Sequence, residues 1–126
     1  MTRSVVAGDR SHRNHLAGVA AEGCIARNYQ RRGFTVARER WRSASGEIDL
    51  IMQNGDALVF VEVKKSRTHA AAAARVSQRQ MARLYDAGAR YLSETGASMD
   101  TEIRFDVALV DSQGQVEILE NAFGGC

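Results

Sequence analysis

Two short alternating runs, joined by an Asn-Gly turn signal, constrain the fold of this chain more than any other feature. The runs cover residues 47–52 and 57–64, and Asn54-Gly55 stands between them. A period of two is typical of strands, and Asn-Gly between two such runs is the strongest short signal for a β-hairpin. The sequence therefore predicts an antiparallel pair whose loop is Asn54 and Gly55.

The first helix and the first strand are predicted from their caps and their periodicity. The helix begins at Ser11 or Asn14, runs to about Arg32 and ends at Gly33, which suits the left-handed conformation at a helix C-terminus. A strand over 34–42 follows.

Beyond the hairpin, residues 66–76 contain five consecutive alanines and are compatible with either a helix or a mobile loop. Ser77-x-x-Gln80 forms a capping box and begins a second helix, which Gly96 ends. Two further strands are expected over 103–109 and 116–119.

The predicted order is αβββαββ, which indicates one α/β (α+β) domain over 1–126 with a central mixed five-stranded sheet flanked by helices. A chain of 126 residues suits a single core, and residues 1–11 resemble a loose N-terminal arm.

There is no run of about 18 apolar residues and no secretory signal, so we expect a cytoplasmic protein without a membrane partner. Cys24 and Cys126 form no CxxC pattern, which argues against a zinc site or a disulfide framework.

Acidic side chains and a lysine share one face of the predicted hairpin. The predicted loop pairs Asp49 with Phe60 and places it diagonally to Glu62, roughly 7–8 Å away. Two such charges repel, and a divalent cation with hard oxygen ligands, Mg²⁺ or Mn²⁺, would relieve the repulsion. Lys64 lies on the same face, and its ammonium would orient a water activated by the metal or stabilise the negative charge that develops when this water attacks a substrate. The alternative is one solvated face, although Leu58 and Phe60 keep that face apolar up to the acid.

The same loop assigns the remaining hairpin residues to faces, and it pairs Glu47 with Glu62. The site would be contradicted by a Glu62 directed away from Asp49, or by a basic side chain already neutralising the pocket. On the acidic face we expect Glu47, Asp49, Ile51, Leu58, Phe60, Glu62 and Lys64, and on the opposite face Ile48, Leu50, Val59, Val61 and Val63.

Glu22 lies in an apolar stripe of the first helix. Its neighbours three and four residues away are Gly18, Val19, Ile25 and Ala26, none of which pairs with a charge. Burial of an unpaired carboxylate is costly. A bound metal would remove that cost, and so would a basic partner such as Arg27 or an arginine from a strand.

Basic residues are concentrated in two segments. Residues 1–45 carry nine Arg and three acids, and residues 62–92 carry seven Lys or Arg and two acids. Residues 93–126 carry one Arg and seven acids. Arginine suits bidentate contacts to phosphate, so nucleic acid is one interpretation, and a solvated surface of mixed charge is the other.

Several segments in order resemble the YraN family of small bacterial proteins. These are "GVAAE" at 18–22, "ARERWR" at 37–42, "GEIDLI" at 46–51, "LVFVEVK" at 58–64, and "RFDVALV" with "ENAF" at 104–110 and 120–123, which match the family's last two strands. The resemblance covers nearly the whole chain. It implies a restriction-endonuclease-like fold of the PD-(D/E)xK nuclease superfamily, similar to archaeal Holliday-junction resolvases.

The resemblance also implies roles for individual residues. Asp49 and Glu62 would bind the metal, with the backbone carbonyl of Val63 as a third ligand, Glu22 would complete the site, and Lys64 would be the catalytic lysine. Gln80 corresponds loosely to a polar residue that follows the E-x-K motif, and its capping role explains it equally well. Glu47 would support the ligands or is simply exposed. Ile48 stands where the motif's name has proline.

These observations lead to three hypotheses. The first is a Mg²⁺- or Mn²⁺-dependent endonuclease acting on branched or structured DNA, with a homodimer as an open alternative to a monomer. The second is a non-catalytic DNA-binding or DNA-processing partner that keeps the nuclease fold. The third is a metal-free interaction module. The candidate phosphate contacts are Arg13, Arg38, Arg42, Lys65, Arg67, Arg79 and Arg83.

Overall fold

The computed structural model describes residues 20–98 and 100–122. The predicted order and the mixed five-stranded sheet with flanking helices are confirmed, with one short helix added before the second long one. The elements are helix α1 (20–31), strands β1 (Thr35–Ser43), β2 (Gly46–Asn54) and β3 (Ala57–Lys65), helices α2 (His69–Ala74) and α3 (Gln78–Thr95), and strands β4 (Ile103–Val110) and β5 (Val116–Leu119).

The strands lie in the order in which they occur in the chain, β1-β2-β3-β4-β5. Strands β3 and β4 are parallel, whereas the other neighbours are antiparallel. Parallel neighbours need a long crossover, which α2 and α3 supply. Helix α3 begins at the predicted capping box of Ser77 and Gln80 and ends at Gly96, whose φ is 70°. The predicted start of α1 at Ser11 or Asn14 lies outside the described residues.

The hairpin loop lies one residue further along the chain than predicted. Asn54 pairs with Ala57, so the loop is Gly55 and Asp56. Gly55 has a φ of 62°, as the first loop residue of a type II′ turn requires. The predicted pairs of Asp49 with Phe60 and of Glu47 with Glu62 are therefore wrong by two residues.

An even shift leaves the face of each side chain unchanged, because side chains alternate with a period of two. Ile51 and Phe60 pack in a core beneath α2 and α3, and Leu50 pairs with Val61 in a second core beneath α1. Ile48 is the exception: it was expected with Leu50 but packs in the α3 core.

Residues 120–122 form a turn after β5, so the part of "ENAF" that the structure describes is not in a strand. This turn is held against β4, because Ala122 donates its N–H to the carbonyl of Phe105 at 2.9 Å and Asn121 donates to the carboxylate of Asp106. The described part of the matched segment is therefore attached to β4 by hydrogen bonds.

Candidate functional site

Strands β2 and β3 separate at Asp49. Their pairing ends at Leu50 and Val61, although both strands continue beyond that pair. Past it, Val63 donates its backbone N–H to Oδ2 of Asp49 at 2.8 Å. The carboxylate thus takes a hydrogen bond at the opening between the strands.

A cavity of about 190 Å³ lies at this opening. Its wall combines the acids of β2 and β3 with side chains from the first turns of α3. Its lining residues are Gly46, Glu47, Asp49, Glu62, Gln80, Arg83 and Leu84. A larger cavity of about 460 Å³ lies at the other end of the hairpin, beside Asp56 and Tyr91, and has none of these residues in its wall.

Asp49 lies in an environment that disfavours its charge. Burial raises the pKa of this carboxyl, and the nearby Glu62 carboxylate raises it further, to about 7. The hydrogen bond from Val63 lowers the pKa, whereas the charges of Glu22 and Glu47 raise it. The basic groups of the site therefore do not compensate the Asp49 charge.

The predicted catalytic lysine contacts the second predicted metal ligand. Nζ of Lys64 lies 3.0 Å from Oε2 of Glu62, and their side chains are only 11% and 18% exposed. Glu62 lines the same cavity as Asp49 and influences its pKa, so it is not directed away from that residue. Lys64 partly neutralises Glu62 but leaves the Asp49 charge unbalanced.

Glu22 is buried in α1 and pairs with an arginine from β1. Nη1 of Arg40 lies 3.2 Å from Oε2 of Glu22, which is 9% exposed. Burial raises the pKa of Glu22, and the Arg40 charge opposes that shift. Of the two kinds of basic partner that the sequence left open, the strand arginine is the one present, whereas Arg27 contacts the sulfur of Cys24.

Arg40 is a site residue that the sequence did not single out. Its Nε lies 3.8 Å from Glu47, which also accepts a hydrogen bond from Arg42 at 3.3 Å. Its backbone has a φ of 51°, which is uncommon for a residue other than glycine. The only sequence signal for it was the unpartnered charge of Glu22.

The donors suit a hard divalent cation. Asp49, Glu62 and Glu22 offer carboxylate oxygens from β2, β3 and α1, and such oxygens are the ligands that Mg²⁺ and Mn²⁺ prefer. A cation would also remove the repulsion that raises the pKa of Asp49. In the described ranges, however, no three acid, His or Cys side chains are already grouped to hold a metal ion. Glu22 and Glu62 are engaged by Arg40 and Lys64 instead.

Gln80 and Arg83 extend the site onto α3. The side-chain oxygen of Gln80 accepts the N–H of Ser77, so its capping role is present, and its side chain also lines the cavity. Arg83 is exposed at the rim. The other described candidates for phosphate contact, Arg38, Arg42, Lys65, Arg67 and Arg79, are also exposed, and Arg13 lies outside the described residues.

The fold and the site define a class: a small α+β protein in which acids meet where two strands of a mixed sheet separate. The chain belongs to the uncharacterised protein family UPF0102, whose model matches residues 21–110, and this confirms the YraN-like resemblance. A UPF0102 protein of Ruegeria pomeroyi is 56% identical over 115 residues, covering 91% of this chain and 94% of that protein. One of Cereibacter sphaeroides is 54% identical over 110 residues, covering 87% and 94%.

No helix in the part of the chain that the structure describes is long and apolar enough to cross a membrane.

Proposed function

We propose that this protein is a metal-dependent endonuclease that hydrolyses phosphodiester bonds of DNA. The observation that carries the proposal is the uncompensated carboxylate of Asp49, which lies beside Glu62 in a cavity rimmed by Arg83. A buried acid whose pKa is raised by burial and by a second acid in the same cleft is characteristic of catalytic sites. The cytoplasmic location expected from the sequence is part of this proposal.

The proposed roles are those that the family resemblance implies, and the cavity shared by Asp49 and Glu62 supports them. Asp49, Glu62 and Glu22 would hold one or two Mg²⁺ or Mn²⁺ ions, with the carbonyl of Val63 as a further ligand and Glu47 as support. A bound ion would supply an activated water and stabilise charge on the leaving oxygen. With Glu62 as a metal ligand, the ammonium group of Lys64, which contacts Glu62, would be placed to orient that water.

The proposed substrate is the DNA backbone. In the described part of the chain Arg79 and Arg83, one turn apart on α3, form no ion pair with a carboxylate, so both are available to phosphate. Contacts of this kind position the duplex without reading bases. The preference for branched or structured DNA, and a homodimer that cuts two strands, rest on the similarity to Holliday-junction resolvases.

A cleavage panel tests the proposal. Linear, nicked, flapped and four-way DNA are incubated with the purified protein, with Mg²⁺, with Mn²⁺ and with a chelator. We expect metal-dependent cleavage that falls at least about 100-fold in Asp49→Ala and in Glu62→Ala, because each removes a proposed ligand, and loss of a group that only supports a ligand already costs about 10–100-fold. DNA binding, measured by fluorescence anisotropy, should remain.

Asp56→Ala is the matched control, since this exposed acid lies on the same hairpin but at its opposite end. It should cleave like the natural protein. Undiminished cleavage in both site variants would refute the assignment.

A second candidate is a DNA-binding partner without catalysis. The pairing of Glu22 with Arg40 and of Glu62 with Lys64 favours it, because both acids are stabilised there by basic side chains. It predicts no heat of binding on Mg²⁺ or Mn²⁺ titration, together with DNA association that weakens as salt rises.

A further inference from the structure

Arg40 connects two acids of the site that belong to different elements. Its guanidinium lies 3.2 Å from Glu22 of α1 and 3.8 Å from Glu47 of β2. The Glu22 side chain is 11% exposed, so its charge has little access to water. A charge-assisted hydrogen bond at such a position is stronger than one at the surface.

The backbone at Arg40 departs from regular strand geometry. Its φ of 51° falls between the regular pairs Glu39–Leu50 and Trp41–Ile48 of β1 and β2. A left-handed residue within a strand costs free energy, and such residues persist only where surrounding contacts hold them. Opposite this point lies Asp49, on the side of β2 that faces the site.

We propose that Arg40 is an internal counter-ion that competes with the divalent cation for Glu22 and thereby sets the metal affinity of the site. The inference rests on the proposed function. While the guanidinium holds Glu22, the acids of α1, β2 and β3 are not grouped around one point. Metal binding would require Glu22 to leave Arg40 and bind the ion. The free energy needed to break the ion pair would then weaken the metal affinity.

The test is calorimetric titration of Mn²⁺ into the full chain without DNA. Arg40→Asn removes the guanidinium, and asparagine tolerates the left-handed backbone. We expect its dissociation constant to be about five- to ten-fold lower than that of the natural protein, because a partly exposed ion pair contributes about that factor. Without metal the melting temperature of this variant should be lower, and Mn²⁺ should raise it by more than it raises that of the natural protein.

Arg42→Asn is the matched control. It removes the same charge close by, but Arg42 is 76% exposed and contacts Glu47 rather than Glu22. Its dissociation constant should stay within about two-fold of that of the natural protein. A third comparison places Arg40→Asn in a Glu22→Gln background, where it should have no effect on affinity, as the double-mutant cycle requires.

The outcomes separate this inference from the proposed function. Equal affinity of the natural protein and Arg40→Asn would overturn the role of Arg40 and leave the metal site standing. The same gain in Arg42→Asn, or a gain that persists in the Glu22→Gln background, would also overturn it, since unspecific electrostatics would then be the cause. No Mn²⁺ binding by any of the proteins would overturn both, whereas binding by Arg40→Asn alone would support the inference.

Discussion

Asp49 in β2 and Asp106 in β4 belong to the same sheet, but their surroundings differ. Hydrogen-bond donors surround the Asp106 carboxylate, whereas other acids lie near the Asp49 carboxylate. Asp106 is completely buried and accepts hydrogen bonds from the hydroxyl of Tyr29, from two nitrogens of Arg104 at 2.9 and 3.0 Å, and from the N–H of Asn121. Asp49 accepts one hydrogen bond in the described part of the chain, and its charged neighbours include other acids.

The comparison shows that burial alone does not distinguish a compensated carboxylate from an uncompensated one. In the described part of the chain four donors reach the Asp106 carboxylate. Burial raises the pKa of Tyr29, and the charge of Asp106 raises it further. A fully satisfied group of this kind stabilises the fold. The Asp49 carboxyl, whose pKa is raised by burial and Glu62, keeps capacity for a ligand.

The largest expected effect is the loss in the free energy of unfolding caused by Asp106→Ala. Replacement by Ala removes the acceptor of the Tyr29 hydroxyl and the nearer of the two acids that pair with Arg104 in the described part of the chain. Removal of one partner from a buried pair costs about 3–5 kcal/mol. Urea denaturation should show this loss in the free energy of unfolding at neutral pH. A loss below about 1 kcal/mol would mean that water replaces the carboxylate, and the contrast with Asp49 would disappear.

Asp49→Asn should change stability in the opposite direction. The folded protein holds a proton on Asp49 up to a pKa of about 7, whereas in the unfolded chain the pKa is near 3.8. The unfolded state therefore binds fewer protons between these values, and the natural protein loses stability as pH rises from about 4 to 7. The variant lacks this loss and should be more stable by about 1–3 kcal/mol at pH 7.5 in the absence of metal.

The measurement is the free energy of unfolding of both proteins from pH 5 to 8 in a chelator. The two curves should diverge with rising pH and become parallel above about pH 7. Parallel curves throughout, or a less stable variant at pH 7.5, would show that Asp49 is compensated in the same way as Asp106.

The smallest effect is expected at the solvent end of the Asp106 network. Glu120 pairs with Arg32 at 2.8 Å and approaches Arg104 at 3.9 Å, but its side chain is 48% exposed. Exposed pairs contribute little, so Glu120→Gln should cost less than about 0.5 kcal/mol. A thermal melt at low and high salt measures this, and a cost comparable to that of Asp106→Ala would place Glu120 within the buried network.

The sequence predicted much of the architecture because the relevant signals are local. The capping box of Ser77 and Gln80 fixes the start of α3 through contacts within four residues. Alternation placed Ile51 and Phe60 on the face that packs against α3, even though the loop prediction was wrong by one residue. The Asn-Gly signal predicted the hairpin correctly but misplaced its loop, because Gly55 is the first loop residue and not the second.

The site was predicted in part. Asp49, Glu62 and Lys64 were placed together by strand periodicity, and the structure brings Asp49 and Glu62 to one cavity with Lys64 against Glu62. The engagement of Glu22 by Arg40 was not predicted, since several arginines compete for one acid and their sequence positions do not distinguish them. The roles of these acids and of Lys64 in metal binding and catalysis stay predictions.

By itself the sequence determined most of the strands and helices and, except for Ile48, which described hairpin side chains share a face, because these properties depend on neighbours a few positions away. Only the tertiary structure decided which charges are compensated. Glu22 and Arg40 are 18 residues apart, and Tyr29 and Asp106 are 77 apart. Desolvation and ion pairing depend on distance in space, so the contrast between Asp106 and Asp49 exists only in the folded sheet.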